Sequence, residues 1–254
     1  MEIKHREQIL DQFTRQAVPF SSAPAIRNQE ALNRIVELAG AGPEDTVLDV
    51  ACGPGLLVCA FARVVRHATG IDLTPAMLEQ ARELQRQQGL QNITWQLGDV
   101  LPLPYEDGEF SIVSARFAFH HFLNPLAVLK EMRRVCQEGG RIVVADSAPA
   151  RGKADAFNAM ERLRDPSHVR AMPVEELREM FARAGLRARV ESYRLEGELE
   201  DLLRRSFPNK GDTDRIREIF ERSLADDALD MATRRKDGKI YYSFPVAILV
   251  SGSD

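Results

Sequence analysis

The chain lacks the features that would mark it as a disulfide scaffold, a metal protein or a membrane protein. It has three cysteines, one tryptophan and no stretch of apolar residues long enough to span a bilayer. Cys52, Cys59 and Cys136 stand far from any metal-ligand spacing, so no metal site is expected. Their small, odd number suits a reducing compartment, and the expected location is the cytoplasm. The first eighteen residues alternate charges with Ile3, Ile9, Leu10 and Phe13 and hold no apolar core of signal-peptide length, so no secretory signal is expected. A basic excess is missing too. The formal net charge is -4 over 254 residues, and the pairs Arg133/Arg134, Arg204/Arg205 and Arg234/Arg235 sit among acidic residues. Neither nucleic acid nor an anionic membrane is an expected partner.

What the chain does have is 44% apolar residues and an alternation of strand-like apolar runs with helical patterns. That alternation signals βαβ units and a doubly wound α/β sheet. Strands are expected at 46–50, 68–72, 92–97, 110–115, 141–146, 186–193 and 240–250. Helices are expected at 29–39, 56–65, 74–88, 125–136 and 173–184, with a long amphipathic helical stretch at 196–232. The expected organisation is one domain. It has an N-terminal segment (1–28), a ligand-binding core (29–150), two charged insertions (151–172 and 196–239) and a last strand.

Chemistry concentrates at the ends of the first strands. Val47-Leu48-Asp49-Val50-Ala51-Cys52-Gly53-Pro54-Gly55 is a strand running into a glycine-rich turn, where Gly53 and Gly55 let a ligand approach the backbone. A pyrophosphate-binding loop would place a third glycine at position 58, where Val58 stands. That disfavours the competing reading of an NAD(P)-dependent oxidoreductase and suits a nucleoside without phosphate. Asp72 ends the second strand, where a carboxylate accepts ribose hydroxyls. Asp99 follows the third, within reach of an adenine amino group, and Leu73 and Val100 flank the ring's place. A single such Asp is more often a turn former; three at consecutive strand ends beside Gly-x-Gly argue for a ligand.

These residues resemble the class I S-adenosylmethionine-dependent methyltransferases, and more narrowly the type 11 branch that includes the ubiquinone and menaquinone biosynthesis C-methyltransferases. The matching pieces are VLDVACGPG (47–55), GIDLTPAMLEQAR (70–82), GDVLPLPYEDGEFSIVSAR (98–116), HHF (120–122) and LKEMRRVCQEGGRIVVAD (129–146). The resemblance implies S-adenosyl-L-methionine as cofactor and a seven-stranded, mostly parallel sheet of order 3-2-1-4-5-7-6 with its last strand antiparallel. It also implies cofactor contacts at Gly53, Gly55, Asp72, Asp99 and Val100. Asp49 would brace the turn, and Arg116 would lie by the methionine portion.

Methyl transfer from a sulfonium leaves the protein to align the acceptor, exclude water and remove a proton. His120 and His168 are the candidate bases. Packing against Phe122 is an equal reading for His120, and a loop held by ion pairs is an equal reading for the cluster Arg164, Asp165, His168 and Arg170. Phe13, Phe20, His121, Arg170 and Tyr242 are candidate acceptor contacts, the first two on an N-terminal lid. The charge and weak periodicity of the insertions suit mobile lids rather than a core of their own. The expected acceptor is small, aromatic or quinol-like. A methyltransferase-like protein that binds the cofactor in a regulatory role remains an alternative, and a homodimer stays open. No Asn-Pro-Pro-Tyr motif follows the fourth strand, where Arg116-Phe117-Ala118-Phe119 stands, which disfavours nucleic-acid methylation.

Overall fold

The structure, a computed structural model, describes residues 2–21 and 27–252, and the side chains of residues 2, 20 and 21 lie outside that description. The expectation for Phe20 therefore falls outside the described residues.

Five parallel strands form the centre: β1 (Thr46–Val50), β2 (His67–Asp72), β3 (Ile93–Leu97), β4 (Phe110–Arg116) and β5 (Cys136–Ser147). β6 (Ala188–Glu198) and β8 (Lys239–Ser251) complete the path β3-β2-β1-β4-β5-β8-β6, with β8 antiparallel to both neighbours. This is the order that the resemblance implies. One strand is additional: β7 (Arg234–Lys236) pairs with the start of β8. Asp237 and Gly238, both at positive φ, make the two-residue turn between them, the conformation that an Asp-Gly hairpin favours.

Both faces of the sheet are covered, which explains why β1 and β4 are apolar-rich without a strict alternation. On one face pack α2 (Gln29–Leu38), α3 (Leu56–Ala62) and α4 (Pro75–Gln88), around Ile35, Val58, Phe61 and Leu78. All seven residues of α3 are buried; at position 58 the chain thus needs a side chain to fill the core. On the other face pack α5 (Pro125–Val135) and α7 (Val174–Arg183), around Leu129, Met132, Leu177 and Phe181. The fifth strand begins at Cys136, earlier than its apolar run suggests, and absorbs the extra residues through a register shift against β4 between Phe110 and Ile112.

The two insertions depart from the expectation. They fold as α6 (Ala154–Arg164), α8 (Leu199–Arg204) and α9 (Asp212–Asp226), and these helices share an apolar core with the start of β8. Phe157, Met160, Ile216, Phe220 and Tyr242 are fully buried there. Most of their charges lie outward, the Glu161–Arg164 pair of α6 being largely buried, and one narrow apolar stripe on each helix builds the core. α1 (Glu2–Ser21) is held across the sheet's carboxyl edge. His5 Nε2 donates to the His121 carbonyl (2.7 Å), and Gln16 Nε2 donates to Asp165 (3.0 Å).

Candidate active site

Strand order reverses between β1 and β4, and open α/β sheets bind ligands outside the carboxyl ends of their strands at such a point. A cavity of about 420 Å³ opens there, roofed by α1 through His5, Ile9 and Phe13. A second cavity of about 110 Å³ lies beside it, lined by residues from α1, β8, α6 and α8 and from the turn that follows β4. Phe13, Phe117 and His121 line both. Phe117 holds a left-handed backbone (φ 54°), with the Arg116 guanidinium 4.6 Å from its ring centre. A bulky side chain at positive φ is a strained conformation of the kind found at functional sites.

The larger cavity gathers Asp49, Gly53, Asp72, Leu73, Asp99, Val100 and Arg116. Asp72 is buried, and each of its oxygens accepts one backbone N–H: Oδ2 from Gly53 and Oδ1 from Thr74, both at 2.8 Å. The carboxylate thus ties the glycine turn to the N-terminus of α4 while still facing the cavity. Burial raises its pKa, and those backbone donors oppose the rise. Asp99 is exposed and accepts from the N–H of Val100 (2.7 Å).

Gly55 is placed differently from expectation. It does not line the cavity. It is the N-cap of α3 at φ 76°, and a Cβ there would meet the Trp95 ring at 2.4 Å. Packing against β3, not ligand approach, demands the glycine.

Asp49 is buried inside β1 and accepts from Ser114 Oγ (2.6 Å). Burial pushes its pKa up to about 7, against the pull of Ser114 and Arg116. The folded state therefore holds the Asp49 proton more tightly than the unfolded chain. Stability from this group is full below about pH 4 and is lost as pH rises towards about 7. Asp49→Asn should stabilise the ligand-free protein at pH 8 by on the order of 1 kcal/mol. Paired melting curves at pH 8 and pH 4 check this, and the gain should vanish at the lower pH.

His120 lines the smaller cavity, and its Nδ1 lies 2.5 Å from Asp146 Oδ1 at the end of β5. Burial opposes protonation of this ring, but the Asp146 carboxylate prevails and raises its pKa. His121 differs: its Nδ1 donates to the Ser167 carbonyl (3.0 Å), and burial together with neighbouring His120 pushes its pKa down to about 4. Tyr242 also lines the smaller cavity.

Two expected site residues stand elsewhere. His168 lines neither cavity; its Nε2 donates to Asn158 Oδ1 (2.7 Å), and burial drives its pKa far down. Its ring packs beside that of His120, with centroids 5.3 Å apart, behind the cavity wall rather than on it. Arg170 is taken by Glu176 of α7 in a two-pronged ion pair (2.5 and 2.8 Å) and lines neither cavity. Conversely, Asp146, Phe117, Glu161, Arg205 and Phe244 line or support the cavities without having stood out in the sequence. The signal for Asp146 is its place at the end of the strand beside the one that leads to His120. All three cysteines are free and buried. Among the described residues no cluster suits a metal ion, and no helix is long and apolar enough to cross a membrane.

Comparison with known proteins agrees with this geometry. The type 11 methyltransferase domain family matches residues 48–144. The uncharacterized methyltransferase YcgJ of Bacillus subtilis (strain 168) is 33% identical over 172 residues, 67% of this chain and 68% of that protein. The crystal structure of YcgJ superposes with a TM-score of 0.81 at 25% identity, covering 88% of this chain and 98% of that one. The ubiquinone/menaquinone biosynthesis C-methyltransferase UbiE of Bdellovibrio bacteriovorus is 36% identical over 115 residues. That match takes in 44% of this chain and about half (48%) of UbiE. The fold is also that of geranyl diphosphate C-methyltransferase from Streptomyces coelicolor A3(2), solved with Mg2+, geranyl diphosphate and S-adenosyl-L-homocysteine. There the TM-score is 0.63 at 16% identity, over 89% of this chain and 79% of that one. With YcgJ matched over two thirds of both chains, on a sheet and cleft of this construction, the protein belongs to the S-adenosylmethionine-dependent methyltransferases.

Proposed function

We propose that the protein methylates a small, single-ring acceptor of aromatic or quinol-like character, seated in the smaller cavity, with His120 taking the acceptor's proton. The observation that carries this reading is the pair of cavities meeting at Phe13, Phe117 and His121. In it, the larger cavity takes the cofactor: ribose at Asp72, adenine between Leu73 and Val100 near Asp99, and the methionine end towards Asp49 and Arg116. About 420 Å³ lies within the usual range for cofactor sites. The cofactor, when bound, supplies an electrophilic methyl on sulfur.

The chain's own part is then positioning and proton transfer. An apolar cavity on the order of 150 Å³ holds one benzene ring, so the smaller one is on the scale of a single ring and excludes a long prenyl chain. Phe13, Phe117 and Phe244 supply its aromatic wall. Asp146 occupies Nδ1 of His120, leaving Nε2 for the proton of an acceptor hydroxyl or acidic carbon. His121, neutral at physiological pH, serves as wall rather than base. α1 and the helices of the insertions close the site, which keeps water from the reacting atoms.

Screening monocyclic phenols, quinols and amines for S-adenosylhomocysteine formation tests the reading. Turnover should fall towards acid pH, because a protonated His120 cannot accept a proton. The midpoint should lie above the ordinary 6.5 of histidine, since Asp146 favours the charged ring. In Asp146→Asn that midpoint should move to lower pH. A profile that Asp146→Asn leaves in place would remove His120 from the proposed role.

A further inference from the structure

The ionisable groups around the smaller cavity are almost all matched. Arg164 meets Glu161 in a two-pronged pair (2.9 and 2.6 Å). Asp165 accepts from Gln16, from the Ser167 hydroxyl and from the Ser167 N–H. His120 has Asp146, and His121 donates to the Ser167 carbonyl. Arg205 is the exception. Its Nε donates to the Asp201 carbonyl (2.8 Å), but its terminal nitrogens have no partner and it makes no ion pair among the described residues. The acid nearest in sequence, Asp201, is held by Arg204 instead. Tyr242 lines the same cavity, with its hydroxyl end over Gly197 of β6.

We propose that the acceptor carries a carboxylate, which Arg205 and the Tyr242 hydroxyl bind, so that the substrate class is a monocyclic hydroxy acid. The inference rests on the reading that the smaller cavity holds the acceptor. Its physical basis is the cost of leaving a half-buried guanidinium without a counter-charge beside aromatic walls, a cost that an anionic ligand removes. The planar fork of a guanidinium matches a carboxylate with two parallel hydrogen bonds. Burial lowers the pKa of Arg205 and pushes that of Tyr242 up to about 12. Tyr242 therefore stays protonated and available as a donor. The remaining functions divide by side chain: Phe13, Phe117 and Phe244 hold the ring, Arg205 fixes its acid group, and His120 faces its hydroxyl.

The test uses the full chain saturated with S-adenosylhomocysteine and titrated calorimetrically with ortho, meta and para hydroxybenzoate and with the matching hydroxybenzamides. At least one acid should bind roughly tenfold or more tightly than its amide. Arg205→Gln should bring that ratio close to one, and Arg205→Lys should keep part of it. Affinity for S-adenosylhomocysteine should be the same in all three proteins, which shows that the variants are folded. The proposal is overturned if no hydroxybenzoate outbinds its amide, or if the advantage survives Arg205→Gln. Turnover separates the two claims. Methylation of neutral phenols without any preference for acids sinks this inference and leaves the methyl-transfer reading standing. Acids that bind through Arg205 yet accept no methyl do the reverse.

Discussion

Replacing His120 with alanine should lower turnover by roughly 10²- to 10⁴-fold, the usual worth of a positioned general base. Affinity for S-adenosylhomocysteine should hold within about twofold, because His120 lines the smaller cavity and not the larger one. The loss follows from the dyad: Asp146 fixes the ring through Nδ1 and favours its protonated form, so the imidazole both presents Nε2 and takes up the proton. Alanine removes the acceptor and leaves a buried carboxylate facing a gap. Some loss of stability is expected as well, and rates must be compared per folded molecule. Single-turnover measurement of methyl transfer against a calorimetric Kd separates the two effects. A variant that loses cofactor affinity and turnover in proportion would place His120 in the cofactor site instead.

The second large effect is expected at Asp72. Asp72→Ala should weaken cofactor binding by about 2 kcal/mol or more, roughly 30-fold, since ribose hydroxyls lose a charged acceptor in a partly dry site. The same change frees the N–H groups of Gly53 and Thr74, so the ligand-free protein should also lose about 1–3 kcal/mol of stability. Asp72→Asn keeps a carbonyl for one of those donors. It should recover part of the stability while still binding the cofactor weakly. If the two variants lose affinity only as far as they lose folded protein, Asp72 is a turn residue and nothing more.

The sheet and the larger cavity were legible in the sequence because their signals are local. Apolar-rich runs mark β1 and β4, and an Asp at a strand end marks a ligand edge whatever lies elsewhere. What escaped depends on partners distant in the chain. Gly55 reads as a ligand contact until Trp95 from β3 is seen against it. Arg170 reads as a substrate contact until Glu176 takes it. Asp146 looks like the plain end of a strand, and it gains its place only because β5 pairs with β4, whose continuation delivers His120. The insertions show the same limit. Ile216 and Phe220 lie one turn apart and do mark a buried face of α9. Phe157 and Met160 mark one on α6. Each stripe is too narrow to reveal alone that the two would meet and, with Tyr242, form a third core. Arg205 sits in a charged helix end, where a solvated face is the ordinary reading. Only the accounting of charges around the cavity sets it apart.

The turn at Gly53, the carboxylate at Asp72 and a buried Val58 suit the larger cavity to a nucleoside sulfonium rather than a dinucleotide. Calorimetric titration of the purified protein with S-adenosylhomocysteine and, separately, with NADH tests this most directly. Saturable one-to-one binding of S-adenosylhomocysteine that Asp72→Ala weakens is the expected result, with no heat from NADH. Saturable NADH binding with no response to S-adenosylhomocysteine would contradict it.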